Sequence, residues 1–257
     1  MSERLGAEAV RTRKGARFPV VTAYDTPFAR AAEAAGIDVL LIGDSVAMVV
    51  LGHGSTTAVG LDDLTRHTAA VARGTVSAHL IADLPFGSYE RSDVHAVSSA
   101  SALIRAGASS VKLEGGAAMA PRIAAIVAAG IPVCAHVGVL PQTAAQTGGF
   151  RVRRDRDREM ADAKAVTEAG AFAVVLEMVA DEVAADITAA IGIPTIGIGS
   201  GPATDGQVLV MHDVLGLYPD PPPFAKRYAH LADAATSALR DYADEVRAGT
   251  FPAARRS

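Results

Sequence analysis

Short apolar runs that stop at an acid recur along this chain. Val39-Leu40-Leu41-Ile42 gives way to Gly43-Asp44-Ser45, and Leu80-Ile81-Ala82 ends at Asp83. Val111-Lys112-Leu113 ends at Glu114, and Val174-Val175-Leu176 at Glu177. Each run has the length and β-branched bias of a strand buried on both faces. Alanine-rich stretches of helical character lie between them and close on glycine: Ala34-Ala35-Gly36, Arg105-Ala106-Gly107, Ala128-Ala129-Gly130, Glu168-Ala169-Gly170 and Ala190-Ile191-Gly192. Val71-Ala72-Arg73-Gly74 is a looser copy. Glycine just past a helix takes the left-handed conformation that ends it. Helices alternating one for one with buried strands predict parallel βαβ units.

The pattern predicts strands over 18–22, 37–42, 77–82, 108–113, 131–135, 171–176, 193–198 and 207–211. Eight such units in roughly 250 residues predict a (β/α)8 TIM barrel, a single domain over 1–257 with an extra C-terminal helix. A doubly wound open sheet is the alternative, and the lack of a nucleotide-binding glycine fingerprint after the first strand counts against it. In a barrel the C-terminal strand ends meet at one face. Asp44, Asp83, Glu114, His136 and Glu177 then converge on one mouth. Residues 148–158 read as a mobile, strongly charged loop, either a solvated run or a lid carrying cations over that mouth. A proline cluster at 219–223 ends the repeat, and 229–247 reads as one amphipathic helix for packing or assembly.

Composition narrows the setting. Half of the 257 residues are hydrophobic and the formal charge is −4, so nothing draws the chain to nucleic acid or a membrane surface. The sole cysteine, Cys134, excludes an intramolecular disulfide and sits in an apolar run, as a buried structural thiol does. The first residues lack the apolar core of a signal peptide, and no apolar run is long enough to span a bilayer. The expected location is cytoplasmic.

The acids carry the chemistry. Asp44, Asp83 and Glu114 offer only oxygen ligands, which suit Mg2+. The bland reading is that one or more caps the next helix or pairs with Lys112. Three at equivalent strand ends weigh against it. Lys112 shares a strand face with Glu114 and either neutralises a substrate carboxylate or balances that acid. His136 reads as a ligand, a substrate contact or, most simply, a satisfied inner-face histidine. Glu177, across the mouth, suits a general base acting on carbon beside a metal-bound carbonyl. Ser45 offers a hydroxyl or backbone N–H to an anion. The glycines from Gly197 to Gly201 follow strand seven, where barrels often bind phosphate, but a tight turn needs glycine regardless.

Taken together, these motifs resemble the ketopantoate hydroxymethyltransferase family. The resembling segments are Thr22-Ala23-Tyr24-Asp25, Gly43-Asp44-Ser45, Ala82-Asp83-Leu84-Pro85-Phe86 and Val111-Lys112-Leu113-Glu114-Gly115-Gly116. His136-Val137-Gly138, Gly148-Gly149-Phe150-Arg151-Val152, Leu176-Glu177, Ile196-Gly197-Ile198-Gly199 and the run from Thr204 to Val210 follow in the family's order. The resemblance implies a (β/α)8 barrel, usually a decamer, that uses Mg2+ and 5,10-methylenetetrahydrofolate. By position, Asp44 and Asp83 match direct metal ligands and Glu114 the acid that reaches the metal through water. Ser45, Asp83 and Lys112 match contacts to the 2-oxo acid, and Glu177 the general base. The implied reaction is hydroxymethyl transfer to 3-methyl-2-oxobutanoate, giving 2-dehydropantoate.

The chain departs from the family pattern at Gly54 after His53, at Leu140 before Pro141-Gln142, and at Arg153-Arg154 after Arg151-Val152. These departures leave room for a diverged paralogue acting on another 2-oxo acid. A Mg2+ enolate C–C lyase of the isocitrate lyase and PEP mutase type is the enzymatic rival, although those enzymes typically use a loop cysteine. A non-catalytic barrel kept for binding ranks last.

Overall fold

The computed structural model describes residues 4–253 and closes eight parallel strands into a barrel in chain order. They are β1 (Phe18–Thr22), β2 (Val39–Ile42), β3 (His79–Asp83), β4 (Ser110–Glu114), β5 (Val133–Gly138), β6 (Ala173–Glu177), β7 (Thr195–Ile198) and β8 (Gly206–Leu209). β8 pairs with β1 through Phe18↔Gly206 to Val21↔Leu209, which completes the ring. Helices α1 (Ala7–Arg11), α2 (Thr26–Ala34), α3 (Val46–Val49), α4 (Leu61–Gly74) and α5 (Asp93–Arg105) belong to the first half. The second half carries α6 (Ala120–Ala128), α7 (Arg156–Glu168) and α8 (Asp181–Ala190).

Several strands start two residues later than the apolar pattern suggests, and the helix ends explain why. The N–H groups of Ile37, Ala108, Ile131 and Ala171 reach back to Ala32, Leu103, Ile126 and Val166 at 3.1–3.2 Å. Each lies just after a glycine with positive φ. This is the Schellman closure, so the first apolar residues after the glycine complete the helix cap before the ladder begins.

Alternation then sorts side chains between two cores. Leu40, Ile42, Leu80, Leu113 and Leu176 are fully buried on the helix-facing side of the strands. Each contributes roughly 1.5–3 kcal/mol by burial. The other parity packs the barrel interior: Phe18, Val20, Val39, Leu41, Ile81, Cys134, Val175, Ile196 and Val208, with Val10 of α1 inserted among them. Following that parity toward the C-terminal strand ends leads from Ile81 to Asp83, from Cys134 to His136, and from Val175 to Glu177. The interior is therefore apolar up to its last layer and ionic at the mouth.

By its internal contacts the chain divides into two compact units, residues 1–210 and 211–257. The smaller holds α9 (Met211–Leu215) and α10 (Leu231–Arg247), the latter starting two residues inside the predicted 229–247 span. Tyr228 N–H donates to Val214 O (2.8 Å), and Ala232 N–H to Gly216 O (3.1 Å). Among the described residues, no helix is long and apolar enough to cross a membrane.

Candidate active site

Strand register brings the sequence candidates together. Asp83 pairs with Lys112, Glu114 with His136, and Gly138 with Glu177 across β3 to β6. Lys112 Nζ lies 3.2 Å from Asp83 Oδ1 and 3.2 Å from His136 Nδ1. Its nearest acid is thus Asp83 on the neighbouring strand rather than Glu114 on its own. Asp83 Oδ2 accepts from the Asp44 N–H at 3.0 Å. Asp44 itself lies beyond β2, and the turn at Gly43 carries it to the mouth. A Cβ on Gly43 would sit 2.8 Å from Ser45 Oγ and 3.5 Å from Asp83 Oδ2. Ser45 Oγ is in turn 2.8 Å from the Tyr24 hydroxyl.

Four carboxylates, Asp44, Asp83, Glu114 and Glu177, share this mouth with one lysine. Burial, then repulsion from Asp83, pushes the Asp44 carboxyl up to about 7, despite Lys112 and the Gln142 amide. Glu114 is raised well above its usual range by burial, with Asp44 and Asp83 adding to it against Lys112. Burial also works against the Lys112 charge, but Asp83, Glu114 and Asp44 outweigh it and hold its pKa above normal. His136 is lowered by burial and by Lys112, with Glu177 pulling the other way. Because a charged lysine only donates, His136 Nδ1 is the acceptor. The ring proton then sits on Nε2, which faces Glu177 Oε2 at 3.3 Å.

The donor set fits a hard cation. Asp83 Oδ1 is buried with the Lys112 ammonium as its one charged partner, Glu114 Oε1 is buried yet accepts no hydrogen bond, and negative charge exceeds positive. Among the described residues, no three or more His, Cys, Asp or Glu side chains already close on one point as a ligand set. Asp44 and Asp83, with Glu114 behind, are the residues able to hold such an ion, since Mg2+ keeps several waters of its own.

Other sequence candidates resolve differently. Residues 148–158 do not form a free lid. A 3-10 turn at Pro141–Thr147 leads to Gly148 and Gly149, and Arg153 then bridges to Val179. Arg153 N–H donates to Met178 O (2.7 Å) and Ala180 N–H to Arg153 O (2.8 Å), tying the run to the end of β6. Its last residues, from Arg156, are helical because the Asp155 side chain caps α7 at Arg158 N–H. The glycine run after β7 is packed rather than open. Ser200 Oγ bridges Leu176 O and Val179 N–H, and a Cβ on Gly201 would strike the Asp181 carboxylate, a poor setting for phosphate. Cys134 is fully buried and its thiol is pushed up to about 12 by burial, so it is no nucleophile.

Three residues at the mouth carried no prior assignment. Gln142 and Tyr89 hydrogen-bond among the acids, and Met178, directly after Glu177, has φ +48°. A non-glycine residue in that region marks local strain. Gly138, opposite, accommodates the kink, since a Cβ there would lie 2.3 Å from Glu177 O.

Comparison with known proteins agrees with this picture. Residues 7–254 match the family model for ketopantoate hydroxymethyltransferase. The 3-methyl-2-oxobutanoate hydroxymethyltransferase of Moorella thermoacetica is 53% identical, over 93% of this chain and 91% of that protein. The Ignicoccus hospitalis protein of the same name is 50% identical, over 93% of each. Among solved structures, 2,3-dimethylmalate lyase of the PEP mutase/isocitrate lyase superfamily superposes with TM-score 0.64 at 19% identity, over 100% of this chain and 92% of that one. Phosphonopyruvate hydrolase, solved with oxalate and Mg2+, gives 0.63 at 18%, over 98% and 91%. At such identities the likeness is one of fold. The chain belongs to the ketopantoate hydroxymethyltransferase family, a family of transferases.

Proposed function

We propose that this enzyme adds a hydroxymethyl group to C3 of 3-methyl-2-oxobutanoate, with 5,10-methylenetetrahydrofolate as one-carbon donor and 2-dehydropantoate as product. The observation that carries the reading is the unequal burial of the acids. Glu177 keeps 14% side-chain exposure, whereas Asp83 and Glu114 keep 3% each. The deep acids suit a cation, and the shallow one suits a substrate. Mg2+, held by Asp44 and Asp83 with Glu114 behind, would supply an electron-withdrawing centre that acidifies the carbon beside the 2-oxo group.

The chain's own residues do the rest. Glu177 takes the proton from C3, and that carbon bonds to the donor's methylene carbon as one C–N bond to the folate breaks. Water supplies the hydroxyl oxygen as the second C–N bond breaks, and tetrahydrofolate leaves with the C3 proton and one water proton on its two nitrogens. His136, with its proton on Nε2, steadies the Glu177 carboxylate from behind. Lys112 holds the histidine tautomer and presents positive charge to the substrate carboxylate, and Ser45, oriented by Tyr24, offers a hydroxyl beside it.

Deuterium exchange at C3, followed by NMR with Mg2+ and then with EDTA, tests this for wild type and Glu177→Gln, with and without the folate. Exchange that needs both the metal and Glu177 is the expected result. Exchange untouched by Glu177→Gln overturns the choice of base. Exchange with other 2-oxo acids but not this one overturns the substrate.

A further inference from the structure

Gln142 is assigned no part in the reaction above, yet its backbone N–H and its side-chain amide each bond one of the acids. It lies in the 3-10 turn directly after β5, behind Pro141, which has no N–H of its own. As one of the first N–H groups of that turn, which have no acceptor within it, its backbone N–H donates to Glu114 Oε2, at 3.0 Å. Its side-chain Nε2 donates to Asp44 Oδ2 at 2.8 Å and to Leu84 O at 3.0 Å. The Tyr89 hydroxyl donates to Gln142 Oε1 at 2.6 Å and lies 3.2 Å from Glu114 O. Gln142 and Tyr89 are 5% and 3% exposed.

This network permits one amide orientation. A flipped amide would set Oε1 against the Asp44 carboxylate and the Leu84 carbonyl, three acceptors with no proton between them. Tyr89 prevents the flip by claiming Oε1. One neutral residue thus ties one oxygen of Asp44 and one of Glu114, while Glu114 Oε1 accepts no hydrogen bond. Glutamate there would lose the donor and add a like charge, and asparagine, keeping the backbone bond to Glu114, has an amide one methylene short of Asp44.

We propose that Gln142, locked by Tyr89, is a positioning residue that holds Asp44 and Glu114 at a fixed separation so that their remaining oxygens serve the cation and the substrate. The inference rests on reading Asp44, Asp83 and Glu114 as the cation site. Partners that orient metal ligands from behind are typically worth roughly 10- to 100-fold in metal affinity.

The test titrates the full-length chain with Mn2+ alone, reading free Mn2+ by electron paramagnetic resonance, with thermal unfolding of each variant as the control for folding. Wild type is expected to bind one ion and Asp83→Asn to lose it. Gln142→Ala should bind roughly 10- to 100-fold more weakly at an unchanged unfolding temperature. Tyr89→Phe, which frees the amide but keeps it, should weaken binding about threefold. If Asp83→Asn loses the ion while Gln142→Ala binds as wild type does, Gln142 has no positioning role and the cation site stands. If wild type binds no Mn2+, or Asp83→Asn retains it, the cation reading falls and takes this proposal with it. Should Gln142→Ala fail to fold, Tyr89→Phe decides: unchanged affinity overturns the proposal.

Discussion

At the N-terminal end of the barrel, His79 is wholly buried with both ring nitrogens engaged, Nδ1 to Leu5 O at 2.9 Å and Nε2 to Ser110 Oγ at 2.8 Å. Around it the N-terminal segment is pinned by Arg4 on Thr75 Oγ1 and Ala78 O, and by the two-pronged pair of Arg13 with Asp38. At the C-terminal end of the same strands, four carboxylates face one lysine, which serves Asp83 Oδ1 at 3.2 Å, and Glu114 Oε1 accepts no hydrogen bond. One end spends its polar groups on internal satisfaction, and the other keeps them short of partners. Burial is equally deep at both ends, so depth alone does not mark a functional site. Unmatched charge at depth does.

The largest effect that tests this contrast is at the mouth. Glu177→Gln is expected to lower turnover by about 10³-fold, within the usual contribution of a positioned base. Its unfolding temperature should not fall, because the change removes an acid that repels Asp44. A variant that loses activity and stability together would show that the mouth is built for stability, as the other end is.

Acid separates the two ends next. Burial pushes His79 down to about 4 from the ordinary 6.5. Between those values the unfolded chain takes up a proton that the folded one refuses. This contribution is therefore complete above about pH 6.5 and is lost as pH falls toward 4. The loss is on the order of 3 kcal/mol. Measured by unfolding, the stability of wild type relative to His79→Gln should fall as pH drops from 7 to 4.5, since the mouth carboxyls contribute alike to both. Equal slopes would mean that the buried imidazole is not what acid attacks.

At the mouth the sign is reversed. With Asp44 raised to about 7 and Glu114 raised as well, the cation-free folded chain holds protons that the unfolded one has released. That part of its stability falls as pH rises from about 4 to 7. A bound cation would displace those protons, so stabilisation by Mg2+ should grow with pH. At a hundred times its Kd the ion would add about 2.7 kcal/mol. Unfolding temperatures with and without Mg2+ at pH 6 and pH 8 check this, and a shift that shrinks toward pH 8 would contradict it.

The barrel was legible because six of its strands are apolar runs that follow a glycine closing an alanine-rich stretch, and four strands end at an acid. Strand parity alone placed Lys112, Glu114 and Glu177 inward. Asp44 needed more, since it lies past β2, where alternation no longer governs direction. Gln142 entered only as part of the Pro141-Gln142 pair that follows Leu140, with no role, because it sits on a 3-10 turn and its partner Asp44 is 98 positions away. The plug at the other end was equally silent, since α1 buries a single residue, Val10. Residues 148–158 misled through their charge, because what anchors them is the backbone pairing of Arg153 with Val179, which composition does not reveal.

Backbone strain sharpens the same comparison. Among the described residues, the one non-glycine with positive φ is Met178, beside Glu177 at the mouth. Its N–H donates to Ile198 O (2.8 Å) and its carbonyl accepts from Arg153 N–H (2.7 Å), so two neighbouring segments hold the kink. A left-handed L-residue costs roughly 1–2 kcal/mol. Glycine removes that cost but loses about 0.5–1 kcal/mol more chain entropy on folding. Met178→Gly should therefore raise stability by only about 0.5 kcal/mol, a degree or two in unfolding temperature. If the kink serves to hold Glu177 at the rim, turnover should nevertheless fall severalfold as the backbone beside the carboxylate gains freedom. More stability with less activity would identify the strain as a working part of the mouth. A gain in stability at full activity would reduce it to a by-product of turning the chain out of β6.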